Sequence, residues 1–151
     1  MAKTTIFLQV EDDPADAFLV AREFQNTPAH IQVRHVADGR EAIRYLLGEA
    51  EYADRDTHPR PNVILLDLKL PGFDGFDFLE WLRSKPAGDL RLIPVIIMSS
   101  SDLQADVKRA YALGANSYIC KPIKWDLFKE RIKLLGIYWS AHVEKPEIPP
   151  T

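Results

Sequence analysis

A chain of 151 residues, 46% hydrophobic and 27% charged, has the size and balance of one globular domain with a single sizeable core. Its formal net charge of -3 leaves no electrostatic footprint for nucleic acid or an anionic membrane surface, so neither partner is expected. No stretch approaches a membrane span, no secretory h-region opens the chain, and the lone Cys120 cannot close an internal disulfide, which makes the cytoplasm the expected compartment.

Thr5–Val10 reads as a strand and runs directly into Glu11-Asp12-Asp13. Asp13 followed by Pro14 is a helix-start signal, an N-cap and then a first helical position where a missing N–H costs nothing. Ala17, Val20, Ala21 and Phe24 continue at helical spacing. Ile31–Val36 alternates Ile31, Val33 and His35 against Gln32 and Arg34, as suits an edge strand, and Asp38-Gly39 opens a second helix with Ala42, Ile43, Leu46 and Leu47 on one face. Residues 48–61 are long for a loop in a compact domain; they read as a solvated excursion whose start extends the helix, or as a partner-binding loop.

Val63–Leu66 is an apolar run too short for a helix, which predicts a strand buried on both faces, with Asp67 where the run ends. Pro71, Gly72 and Gly75 break the pattern before a helix over about residues 73–84, with Phe78, Leu79 and Leu82 inward. A turn-rich stretch, 85–94, leads to the apolar run 95–98 and then Ser99-Ser100-Ser101. Ser101 with Gln104 matches a capping box for a helix that ends at Gly114. Ser117–Cys120 is the last strand, followed by Lys121-Pro122 and a final helix from about Lys124 with Trp125, Phe128, Ile132 and Leu135 facing the sheet. Residues 1–140 form one domain, and 141–151 a proline-rich tail without regular structure.

Strand then helix, repeated five times, argues an α/β fold: a doubly wound parallel sheet with helices on both faces. Ligands of such sheets bind beyond the carboxyl ends of the strands. Glu11-Asp12, Asp67, Ser99 and Lys121 each follow a predicted strand directly, so strand direction brings them to one edge. Taken one at a time, each has an ordinary explanation as a cap, a turn residue or a solvated lysine, and Asp13 keeps the capping role. Together they are chemically complementary. Clustered carboxylates repel unless a cation neutralises them, and an all-oxygen set suits Mg²⁺ over Zn²⁺. Asp67 can serve as a nucleophile toward phosphorus, with Lys121 and Ser99 on the phosphoryl oxygens.

The segments VEDDP, LLDLKLPGFDG, the MS ending at Ser99 and GANSYICKP, in that order, resemble the receiver domain of two-component response regulators. The resemblance implies a flavodoxin-like (βα)5 fold with strand order 2-1-3-4-5 and the site between the first and third strands. It also implies Mg²⁺ held by Glu11, Asp12, Asp67 and the backbone carbonyl of Lys69, phosphoryl acceptance by Asp67, and a switch formed by Ser99, Tyr118 and Lys121. Tyr118 is expected to turn inward on phosphorylation. Lys121-Pro122 matches a peptide that is cis in the family.

The resemblance further implies a phosphodonor, either a sensor histidine kinase or a phosphotransfer protein. Few residues follow Leu135, so output is expected through protein contact, as in stand-alone receivers. The extended 48–61 segment, GDLRLIP and GIYW bring the chain nearer to the small regulators paired with phytochrome-type histidine kinases. Leu127, Leu134 and Tyr138, with Ile137 and Trp139 past the domain, form an apolar stripe that suits a homodimer unless the tail folds back over it. The competing reading is a Mg²⁺-dependent phosphohydrolase of the haloacid dehalogenase type. That chemistry needs a second Asp two residues after the nucleophile, where this chain has Lys69.

Overall fold

The computed structural model describes residues 3–149 and contains five strand–helix units. They are β1 (Thr5–Val10) with α1 (Pro14–Gln25), β2 (Ile31–Val36) with α2 (Gly39–Leu47), β3 (Val63–Leu66) with α3 (Gly75–Leu82), β4 (Val95–Ser99) with α4 (Gln104–Ala112), and β5 (Ser117–Cys120) with α5 (Trp125–Ile137). All pairs are parallel, in the order β2-β1-β3-β4-β5, which is the expected doubly wound, flavodoxin-like topology. The chain winds from β1 to β2 and then reverses to β3, so the carboxyl ends of β1 and β3 flank the switch point. Val10 pairs with Leu66, and the Asp67 N–H donates to Val10 O at 3.1 Å, so Glu11 and Asp67 leave their strands at one level.

The two-residue alternation of strands divides the interior into two cores. Phe7, Leu65, Ile96 and Met98 meet Val20 and Phe24 of α1 and Phe128, Ile132 and Leu135 of α5. Leu8, Val10, Ile64, Leu66 and Ile97 meet Ala42, Tyr45 and Leu46 of α2, Phe78, Leu79 and Leu82 of α3, and Ala110 of α4. Each fully buried Leu or Phe contributes about 1.5–3 kcal/mol. Helices of eight or nine residues, such as α2, α3 and α4, are too short to hold alone and depend on this packing.

Several elements differ from the sequence expectation. In β2 the imidazole of His35 is exposed and turns to the end of β1, with Nε2 2.6 Å from Glu11 O, while Val36 is buried. Helix α3 starts at Gly75, because Asp74 and Asp77 form a reciprocal capping box there. Ser101 does not cap α4. Its hydroxyl donates to Asp106 Oδ2 at 2.6 Å and accepts from Leu103 N at 3.3 Å, and the helix begins at Gln104. Trp125 is 41% exposed and does not face the sheet, since it opens α5 at the loop edge beside Lys121 and Pro122.

Residues 48–61 do not extend α2, which ends at Gly48 in the left-handed conformation (φ 69°). A 3-10 turn, Ala50–Tyr52, follows, and the buried Tyr52 ring lies 5.0 Å from Tyr45, with the His58 ring edge-on to both. Tyr52 OH donates to Glu41 Oε1 at 2.5 Å. Arg55 donates to Tyr45 O (2.8 Å), Leu46 O (2.9 Å) and His58 O (3.2 Å), so a cation from the loop satisfies the last carbonyls of α2.

The carboxyl end is tied down too. A π-helical turn, Tyr138–His142, continues α5, and Lys145 Nζ donates to Trp139 O and Val143 O at 2.7 and 2.8 Å. The tail then passes Lys3, which pairs with Glu147 at 3.3 Å. Ile148 packs against the α2–α3 core, and Arg60 donates to Pro149 O at 2.9 Å.

Candidate functional site

The wholly buried β3 delivers Asp67 to the switch point, where its carboxyl group is buried but not enclosed. Lys69 N–H donates to Asp67 Oδ1 at 3.0 Å, a local Asx-type turn that fixes the carboxylate plane. Gly75 presses on the same turn: a Cβ there would meet Asp67 O at 2.3 Å and Leu68 Cα at 2.7 Å. Asp67 Oδ2 faces Lys121 Nζ at 3.0 Å. Lys121 is brought across from the end of β5, with its N–H on Ser99 O at 2.7 Å.

The Lys121 ammonium is shared by three carboxylates: Glu11 Oε1 in a short contact, Asp16 Oδ2 at 2.9 Å and Asp67 Oδ2 at 3.0 Å. Burial draws the lysine down, but these carboxylates outweigh it and hold it above its ordinary value. Burial pushes Glu11 the other way, against the pull of Lys121 and with added repulsion from Asp67, to about 8. One ammonium therefore does not balance the cluster, which calls for a proton or a second cation. Glu11, Asp12 and Asp67 each offer a carboxylate oxygen, all within 4.8 Å of one another. A hard divalent ion such as Mg²⁺ fits this anionic all-oxygen set. Lys69 contributes its N–H to the turn while its side chain is exposed, and Asp13 caps α1 through Ala15 N at 2.9 Å.

Ser99 closes β4 fully buried, its Oγ accepting from Ser101 N at 3.3 Å. Tyr118 packs against the α2–α3 core and donates to Ser101 O at 2.8 Å. Burial raises its phenol above the ordinary value, partly offset by hydrogen bonds to Ser101 and Ser99. One expectation is corrected: the Lys121-Pro122 peptide is trans, as are all described peptide bonds. The two isomers of an X–Pro bond differ by only about 0.5–1 kcal/mol, so tertiary contacts decide between them. Here the trans chain already seats Lys121 on its carboxylates.

The position of Asp16 was not legible in the sequence. It sits in the first turn of α1, where an acidic residue reads only as a complement to the helix dipole. On the far side of β5, Leu127, Leu134 and Tyr138 are exposed, while Ile137 and Trp139 are half-buried, Trp139 against the α1–α5 core. Leu134, Tyr138 and Trp139 line an open groove of about 880 Å³ along the β5 edge.

The family model for the response regulator receiver domain matches residues 7–133. The response regulator Rcp1 of Synechocystis sp. is 34% identical over 93% of this chain and 92% of its own length. Its Mn²⁺-bound crystal structure superposes with a TM-score of 0.85 at 31% identity, covering 95% and 99% of the two chains. The phosphorylated cyanobacterial phytochrome response regulator RcpA superposes with a TM-score of 0.87 at 34% identity, covering 96% of this chain and all of its own. A probable methanogenesis regulatory protein, FilR2 of Methanothrix harundinacea, is 33% identical over 93% of this chain and 87% of its own.

Proposed function

This chain belongs to the response regulator receiver domain family, and from that membership we propose that Asp67 accepts a phosphoryl group from a histidine kinase or a phosphotransfer protein. The observation that carries the reading is the switch-point carboxylate itself, pinned by Lys69 N–H on one oxygen and met by Lys121 on the other, with Glu11 and Asp12 beside it. An Asp67 oxygen attacks the phosphorus of a phosphohistidine. The P–N bond breaks, its electron pair returns to the imidazole, and an acyl phosphate forms on Asp67. Glu11, Asp12 and Asp67, with the Lys69 carbonyl as a further ligand, would hold Mg²⁺, which would supply positive charge to the phosphoryl oxygens. Lys121 supplies a second, fixed cation. The Ser99 hydroxyl and the Tyr118–Ser101 contact then read the added charge as a shift between packings of the β4–α4 and β5 face.

Donor docking is supported by apolar side chains at the same edge. Phe18, Ile123 and Trp125 are exposed, and Ile123 and Trp125 line a depression of about 320 Å³ with Asp16 and Lys121. The likeness to RcpA, a phytochrome response regulator, favours a phytochrome-type kinase as the donor. Output passes through protein contact, including a homodimer on the stripe of Leu127, Leu134, Ile137, Tyr138 and Trp139. A monomeric mass by light scattering at high micromolar protein, with and without phosphodonor, would remove the dimer.

The test of the acceptor is direct. With Mg²⁺ and a small phosphodonor, the protein gains one hydroxylamine-labile phosphate and Asp67→Asn gains none. Equal labelling of that variant refutes the assignment, and steady turnover of a phosphate ester would favour the phosphohydrolase reading instead.

A further inference from the structure

Lys121 has three carboxylate partners, but only two of them belong to the oxygen cluster suited to a divalent cation. Glu11 and Asp67 are shared between the ammonium and that cluster, whereas Asp16 touches the ammonium alone. A lysine ammonium and a divalent ion repel each other, so they compete for the charge of the two shared carboxylates. With a divalent ion on Glu11 and Asp67, the hold of the ammonium on two of its three partners would weaken. Its side chain is only 12% exposed, so it cannot simply move into water. An unpaired charge left in such a place opposes metal binding.

We propose that Asp16 is a positioning residue for Lys121, retaining the ammonium at the edge of the acid cluster while Glu11 and Asp67 serve a divalent cation. The inference rests on the phosphoacceptor reading above. Asp16 is suited to the task because it stands on α1, fixed by the Asp13 cap and by Val20 and Phe24 in the core, and not on a loop. Its side chain is 30% exposed and lies outside the oxygen cluster, so it is not drawn into the metal site. From this anchor Lys121 stays within reach of Asp67 and of a phosphoryl oxygen carried on it.

The experiment titrates Mg²⁺ alone into unphosphorylated protein by calorimetry, for the unaltered chain, Asp16→Asn, Asp16→Glu and the neighbouring Asp13→Asn. Asp16→Asn weakens Mg²⁺ binding roughly fivefold, the scale of one partly exposed ion pair. Asp16→Glu recovers most of it, and Asp13→Asn, which removes the same charge without touching Lys121, changes it less than about twofold. In the Mg²⁺-loaded unaltered protein the Lys121 ammonium gives a protected ¹H–¹⁵N signal, which Asp16→Asn loses to solvent exchange. Unchanged affinity and an unchanged ammonium signal in Asp16→Asn overturn the inference, as does an equal loss in Asp13→Asn, which would reduce the effect to net charge. If the unaltered protein itself binds no Mg²⁺ and takes no phosphate, the phosphoacceptor reading falls first and this inference with it.

Discussion

Replacing Lys121 with Met keeps the buried stem of the side chain and deletes the ammonium that three carboxylates share. Removing one partner of a buried ion pair costs about 3–5 kcal/mol. Because Asp16 is partly exposed and can be rehydrated, the lower end, about 3 kcal/mol, is expected at pH 8 without metal. The loss carries a pH dependence of definite sign. Burial, the largest influence, has already moved Glu11 from an ordinary 4.5 to about 8, and Lys121 is what pulls it down. The folded protein thus holds a proton that the unfolded chain releases at 4.5. The stability this contributes is fully present below 4.5 and disappears as pH rises through 8. Without Lys121 the Glu11 proton is held more tightly, so the damage is small near pH 5, where Glu11 is neutral, and greatest above pH 8. Mg²⁺ at a hundredfold excess over its Kd should return about 2.7 kcal/mol by binding only the folded state. Urea denaturation followed by circular dichroism at pH 5, 6.5 and 8, in EDTA and then in Mg²⁺, reads all of this. Equal stability of the two proteins at pH 8 in EDTA, or the same loss at pH 5 as at pH 8, would refute the charge-cluster reasoning.

Gly75→Ala should cost about 1–3 kcal/mol through overpacking and depress phosphate labelling further than stability, because its Cβ collides with the backbone of Asp67; denaturation and labelling measured side by side test the split. Arg55→Ala exposes the last carbonyls of α2 and loosens residues 48–61, with an expected loss of about 1–3 kcal/mol and unchanged labelling of Asp67. Unaltered hydrogen exchange in that segment would contradict it. Truncation after Lys145 removes the Ile148 contact and the Arg60–Pro149 bond and should lower stability by about 1–2 kcal/mol while leaving Mg²⁺ affinity intact. A melting curve and a Mg²⁺ titration on the shortened chain are enough to check both halves.

Much of the fold was legible because its signals are local. Apolar runs ending in Asp67 and Ser99 can only be strands covered on both faces, and strand–helix alternation forces parallel pairing. Parallel pairing in turn sends every strand's carboxyl end to one edge, so Glu11, Asp67 and Lys121 were predictable neighbours without any distance. Where local signals conflicted, the sequence misled. Ser101 and Gln104 have capping spacing, yet the hydroxyl is taken by Asp106. Trp125 has core spacing, yet it stands beyond the layer that the core covers.

The Asp67 carboxylate, its acidic neighbours Glu11 and Asp12 and the facing Lys121 were thus determined by the sequence itself, since each is tied to the end of a strand. Tertiary structure alone decided who shares that lysine. Asp16 meets Lys121 across 105 positions of chain, Tyr118 finds the carbonyl of Ser101, and Arg55 and Ile148 tie the long loop and the tail to the domain. Periodicity and capping patterns report a residue's own turn or strand. Which charges end up facing one another is set by the packing of α1 against α5, which follows the loop carrying Lys121, and that packing exists only once the sheet has formed beneath both helices.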